Sequence, residues 1–386
     1  MMRSRKAALV AVAAVVALSA CGTDTATDEH GHEHGPGIDP IALTYDGGIY
    51  VLDGATLAQE GEVKLDGFNR LNPAGDDDHV MVSTADGFRV FNAFDRDFTG
   101  TDFPANKPGH VVRHAGKTIL FADGTGEVTI FESDALSDGA PKTETYQAAA
   151  PHHGVAIELA NDQLVVTLGT EDKRVGALAL DADRTEIARN EDCPGVHGEA
   201  TAQDEAVVIG CQTGALIYRD GTFTKVQSPD AYGRIGNMSG SAASPIVLGD
   251  YKVDKDAELE RPQRVSLVNT ADGTLRFVDL GTSYTFRSLG RGPAGEALVL
   301  GTDGKIHVID PVAGAVTSTI PVLANSWEEP LDWQDPRPAL FVRDGFAYVT
   351  DPGAKQVHRV DLTEGKVTAT ATLASAPNEI SGVAGH

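Results

Sequence analysis

The chain has 386 residues, with 56 Asp and Glu against 31 Lys and Arg, a formal net charge of −25 and only 6% aromatic residues. So acidic a polymer repels nucleic-acid phosphates, and its charge is of the kind that keeps exported proteins in solution. The body of about 350 residues is long for a single core, so a repeat architecture is expected.

Residues 1–20 read as a signal peptide. Arg3, Arg5 and Lys6 are followed by an apolar run from Ala7 to Leu18 and then by Leu18-Ser19-Ala20-Cys21-Gly22. That is the shape of a bacterial lipoprotein signal, with cleavage before Cys21 and lipid on its thiol, palmitate included. A plain secretory signal with Cys21 by chance is the alternative. Either way the chain is expected outside the cytoplasm, at the cell surface or in the periplasm, and lipid is its only expected attachment to the cell membrane. No later segment reaches 18 uninterrupted apolar residues. Loss of the signal, with three basic and no acidic residues, would move the charge from −25 to −28.

Residues 21–37 contain no aliphatic side chain larger than Ala and cannot repay the cost of ordering, so they are expected to be a lipidated, flexible tether. His30, His32 and His34 alternate with Gly31 and Glu33, which in an extended chain places the three imidazoles on one side. Together with Asp28, Glu29 and Glu33 they could chelate a metal weakly, because the segment must be ordered on binding.

From residue 38 to 386 short β-branched runs recur: IALTY and IYVL, VMVST and RVFNAF, TILFA and VTIFE, LVVTLG and GALAL, VVIG and ALIY, IVLG and VSLV, LVLG and IHVI, LFV and AYVT. Asp-Gly pairs between them, such as Asp46-Gly47, Asp123-Gly124, Asp220-Gly221 and Asp344-Gly345, favour tight hairpin turns. No window of similar length carries apolar residues at helical spacing. The expectation is an all-β chain forming a single β-propeller of about eight, alternatively seven, four-stranded blades. Blade starts are expected near residues 41, 69, 107, 151, 195, 234, 285 and 330, with a charged surface loop from Lys252 to Arg264. The final segment, 378–385, resembles the start of an inner strand with nothing after it. It is expected to close the ring against Ile41 and so remove the open edges.

Three successive repeats place a histidine just before their first strand, in PGHVV at 108–112, PHHGVA at 151–156 and GVHGEA at 195–200. Inner strands line one channel, so His110, His153 and His197 are expected to converge on one side of its mouth. Asn72, Asn237, Ser288, Asp332 and Ser381 fall near the equivalent position of other repeats. Three neutral imidazoles form a transition-metal site for which zinc is the default, although copper and nickel suit the same ligands. Asp332 or Glu199 could supply a fourth ligand, and His152 could take the place of His153. His79, His114, His307 and His358 read as structural or surface residues. Cys193 and Cys211 are expected to form a disulfide in an oxidising compartment. Zinc ligation by this pair is the competing reading, since Cys193 lies four residues before His197.

With a His-x-His-x-His tether, a propeller body and channel-mouth histidines in consecutive units, the chain resembles the AztD-type zinc metallochaperones, most specifically in PHHGVA and VHGEA. These exported proteins pass zinc to the solute-binding protein of a zinc ABC transporter. The resemblance implies Zn2+ as the ion, a tight site at His110, His153 and His197, and a weaker site at His30, His32 and His34 that assists capture or hand-off. It implies zinc transport by a monomer rather than an enzyme. Two other classes are open at this point. A metal-dependent propeller hydrolase acting on esters or lactones could use Glu199 as its base, and a metal-free propeller could serve as an interaction scaffold. The sequence carries no Gly-x-Ser-x-Gly elbow and no phosphate-binding loop.

Overall fold

The computed structural model describes residues 40–384. The expected signal at 1–20, the lipidation site Cys21 and the tether at 21–37 with His30, His32 and His34 lie outside the described residues. Within them the chain forms eight sheets of four antiparallel strands, one of which gains a short parallel fifth strand at Gly233–Arg234, with only two short 3-10 turns among the strands. The sheets are the blades of a propeller. Blade 2 begins at Arg70–Pro73, blade 3 at Pro108–His114, blade 4 at Ala156–Glu158 and blade 5 at His197–Thr201. Blades 6, 7 and 8 begin at Met238–Ser239, Leu289–Arg291 and Leu340–Arg343.

Blade 1 takes its innermost strand from the other end of the chain. Pro377–Gly382 pairs antiparallel with Ile41–Tyr45, so that Ile41 faces Gly382 and Leu43 faces Ile380. The expected closure by the C-terminal strand is therefore present, and the blade count is eight. The start of blade 8 differs from expectation by about ten residues. No strand forms between Pro321 and Leu340, a connection containing Asn325, Asp332, Asp335 and three prolines. Asp332 consequently lies eight residues before its inner strand and not at the position equivalent to the histidines.

Alternation along each strand explains how the blades hold together. In blade 1, Ile41, Leu43, Tyr50 and Leu52 pack toward blade 8, while Ala42, Ile49 and Val51 pack toward blade 2. Both faces of an inner strand are thus apolar, which is why IALTY and IYVL lack the polar alternation of a half-exposed sheet. The outermost strands, such as Lys366–Thr372, return to alternating exposure. The largest apolar cluster joins blades 3, 4 and 5 through Val112, Phe121, Ile157, Val166, Leu178, Val196 and Ile209. It underlies the three blades that carry the histidines, so their relative positions are set by close packing.

The turns follow the sequence reading. Asp220-Gly221 and Asp344-Gly345 each close a two-residue hairpin with both residues at positive φ. Such a turn matches strand twist, and Asp and Gly tolerate it best. The expected loop is present, strand-free from Lys252 to Gln263 between the second and third strands of blade 6, and Arg264 begins the third strand. Among the described residues no helix is long and apolar enough to cross a membrane.

Candidate metal centre

His110, His153 and His197 meet at one mouth of the channel. One ligand nitrogen of each lies within 4.8 Å of the others. Ring centroids are 5.1 Å apart for His110 and His153, 5.6 Å for His110 and His197, and 4.9 Å for His153 and His197. Bonds of about 2.0–2.1 Å to a tetrahedral ion put ligand nitrogens about 3.3 Å apart. Closing the remaining gap of up to about 1.5 Å is within reach of side-chain rotation about χ1 and χ2.

Local backbone irregularities aim two of these side chains. Between His197 and Glu199 the pairing register with the next strand shifts, and Gly198 takes φ 72°. A Cβ on Gly198 would stand 2.4 Å from the Gly236 carbonyl oxygen, so glycine lets that carbonyl approach. A second register shift, between Pro108 and Val111, lifts Gly109 and His110 out of regular pairing. Bulges of this kind re-aim side chains at sheet ends and beside functional sites. His153 needs none, because the inner strand of blade 4 begins only at Ala156.

Hydrogen bonds fix which nitrogens face the centre. His153 Nδ1 donates to Asp123 Oδ2 at 2.5 Å, and the same carboxylate accepts from the Gly154 amide. His197 Nδ1 donates to the Gly236 carbonyl at 2.6 Å. In a neutral ring each bond places the proton on Nδ1 and leaves Nε2 as the ligand atom, the usual outer-shell arrangement of metal-binding histidines. His110 is turned toward Glu199, whose Oε2 is 3.7 Å from its Nδ1. Burial and the neighbouring imidazoles hold His110 well below the usual pKa of 6.5. Burial, Arg234 and His153 hold His197 down at about 3. Both are therefore neutral at physiological pH, as ligation requires. Burial pushes the Glu199 carboxyl up to about 8.

Other expected residues take different places. His152 is buried with both ring nitrogens engaged, Nδ1 with the Ala150 carbonyl and Nε2 with Thr167 Oγ1, so it is no substitute for His153. Asp332 is exposed, accepts from the Gln334 amide and does not line the mouth. Glu199 remains beside the cluster, although the group of side chains placed to hold a metal is the three histidines alone. Asn72 and Asn237 line the mouth as their register suggested, whereas Ser288 is buried against Thr285. Cys193 and Cys211 form the expected disulfide, which excludes them as ligands and crosslinks the segment that carries His197.

Asp123 was legible in the sequence only as half of an Asp-Gly turn, yet its carboxylate orients His153. The Gly236 carbonyl and the cations Arg70, Arg174, Arg234 and Lys252 around the mouth had no signal of their own. They arrive from blades 2, 4 and 5, from the connection that enters blade 6 and from a loop within that blade, and only ring closure gathers them.

Fold and site together define an eight-bladed β-propeller with three histidines clustered on one side of a channel mouth. No protein-family model matches the chain. It is 28% identical over 294 residues, 74% of its length and 67% of the relative's, to the zinc chaperone AztD of Citrobacter koseri. The solved structure of apo AztD from that organism has a TM-score of 0.74 at 24% identity and covers 89% of this chain and 97% of that one. A second AztD structure gives 0.73 at 23% identity, covering 90% and 98%. The resemblance to the AztD-type chaperones expected from the short histidine motifs thus extends over most of the propeller. The dihydro-heme d1 dehydrogenase NirN shares the fold with a TM-score of 0.59 at 11% identity, over 90% of this chain and 75% of that one. A propeller alone therefore does not specify an activity.

Proposed function

We propose that this protein is an exported zinc chaperone that captures the ion at His110, His153 and His197 and hands it directly to the solute-binding protein of a zinc ABC transporter. The observation that carries this reading is the convergence of three imidazoles from matched positions of consecutive blades, two with Nε2 left free by hydrogen bonds at Nδ1. The named relative, a zinc chaperone rather than an enzyme, supports it. His153 is substantially exposed, so an incoming ligand can displace it while the other two still hold the ion. In the same reading residues 1–20 direct export, Cys21 carries the lipid anchor, residues 21–37 form the tether, and His30, His32 and His34 give a weaker site that assists capture or release.

Competition with a chromophoric chelator tests the site in the wild type, in a variant lacking residues 22–37 and in His153→Ala. Loss of tight binding in His153→Ala alone is the expected result. Loss only on deleting the tether would move the function to that segment, and absence of binding in all three would remove the reading. Direct transfer is tested by adding acceptor protein and excess chelator together. Zinc should reach the acceptor faster than it dissociates spontaneously, and equal rates would overturn the hand-off.

A further inference from the structure

The mouth is a cavity of about 370 Å³ whose walls are of different character. On one side stand the three histidines; Arg70, Lys252, Phe286 and Trp333 also line it. Arg234 lies directly behind the site, its guanidinium 2.5 Å from where a Cβ on Gly236 would be. Arg174 is close enough, with Arg70, to oppose protonation of His110, and with Arg234 to oppose that of His197.

Three of these cations have no close ion pair, although Asp250, Glu260 and Glu329 line the adjoining cavity with Lys252. Most Lys and Arg side chains here have a carboxylate within 4 Å, as befits a chain with 56 acidic residues, but among the described residues Arg174, Arg234 and Lys252 have none. The buried Nη1 of Arg174 and Nε of Arg70 lack hydrogen-bond partners. Arg70 has only Glu379 at 3.8 Å, and Glu379 is held at 2.6 Å by Arg287. Zinc in the mouth would add two positive charges to the three of Arg174, Arg234 and Lys252, against the carboxylates of Asp123 beside His153, Asp250 beside Asn237 and, when ionised, Glu199 beside His110. An uncompensated excess of positive charge at a half-buried site is costly, and bound anions relieve it.

We propose that the mouth is a carboxylate site, in which Lys252 and Arg70, with Arg174 and Arg234 behind the histidines, hold a carboxylate that becomes the fourth ligand of zinc. The inference rests on the zinc reading of the three histidines. The aromatic edge formed by Phe286 and Trp333 suits a carboxylate on a short aliphatic stem. A free dicarboxylate and a glutamate side chain of the acceptor both have that chemistry. The carboxylate contributes one oxygen to zinc while its other oxygen accepts from the cations, displacing a coordinated water with no change of oxidation state.

The test is zinc affinity of the full mature protein, by chelator competition in sodium perchlorate of constant ionic strength. Succinate and a C-terminally amidated tetraglutamate peptide are the two probes, and Co2+ absorption reports ligand exchange. At least one probe should tighten zinc binding about tenfold, the scale of a single outer-shell partner, and change the cobalt spectrum. Lys252→Gln should abolish that enhancement while still binding zinc in perchlorate. Enhancement by succinate identifies a free anion as sufficient, and enhancement by the peptide alone identifies a protein side chain. Tight zinc binding that neither probe alters would overturn the carboxylate site and leave the histidine site standing. Failure to bind zinc under every condition would overturn both.

Discussion

Asp123 and the Gly236 carbonyl decide which face of two imidazoles looks into the mouth. Asp123→Asn keeps the shape of the side chain but can present an NH2 group to His153 Nδ1, which disturbs the tautomer. Zinc affinity should fall about 10–100-fold, the range found for such outer-shell partners, with the circular dichroism spectrum unchanged. An unaltered dissociation constant would show that His153 needs no orientation. Acidity acts on the other two rings. Because His110 and His197 sit below the ordinary 6.5 in the folded protein, the unfolded chain takes up protons first. Their contribution to stability is complete above about pH 6.5 and is lost as pH falls toward the folded values, about 3 for His197. The metal-free protein should melt progressively lower below about pH 6. From about pH 7.5 to 6, zinc affinity of a Glu199→Gln variant should change by no more than about one proton per ion, since two of the three ligands are already neutral. A slope near three would show that the imidazoles titrate as they do in water.

At the scale of the element, the bulge at the start of blade 5 is the most constrained piece of the site. Gly198 combines φ 72° with a Cβ position 2.4 Å from the Gly236 oxygen, whereas Gly221, at φ 76°, has open space around it. Gly198→Ala should therefore cost about 1–3 kcal/mol of stability through backbone strain and also weaken zinc binding, because the displaced carbonyl is the acceptor for His197. Gly221→Ala should show strain alone. Urea unfolding and chelator competition on both variants separate the two effects, and equal zinc affinity in both would detach the bulge from the site. The bulge was not legible in the sequence. GVHGEA announces a turn-prone glycine beside a histidine, but the close approach that makes glycine necessary comes from a segment almost forty residues later.

For the whole molecule, each pair of adjacent blades is joined by apolar side chains from both, and the ring is completed where Pro377–Gly382 enters blade 1. That strand also brings Glu379 to Arg287, tying the first blade to the connection before the seventh. Removing residues 377–386 would expose the inner edge of Ile41–Tyr45 and strand a buried guanidinium. The truncated protein should lose its single cooperative thermal transition and aggregate. A sharp transition within a few degrees of the full chain would show that closure is dispensable. The same closure brings Arg70 and Lys252 to the mouth that holds the histidines, so truncation should also loosen zinc binding.

The sequence by itself determined the all-β class, the hairpin turns, the closing strand and the matched placement of the three histidines, because each is written as a local pattern repeated at a regular spacing, whereas the choice of eight blades over seven came from the structure. Short apolar runs and Asp-Gly pairs act within about ten residues, and equal positions in equal repeats must meet at one axis. Tertiary structure alone decided what surrounds the histidines. Asp332 left the register because a proline-rich connection cannot continue as strand, and His152 turned inward to Thr167. Asp123, Gly236 and the cations reached the mouth from segments with no common motif. Their roles depend on distance across a closed ring, a quantity that no local pattern of residues encodes.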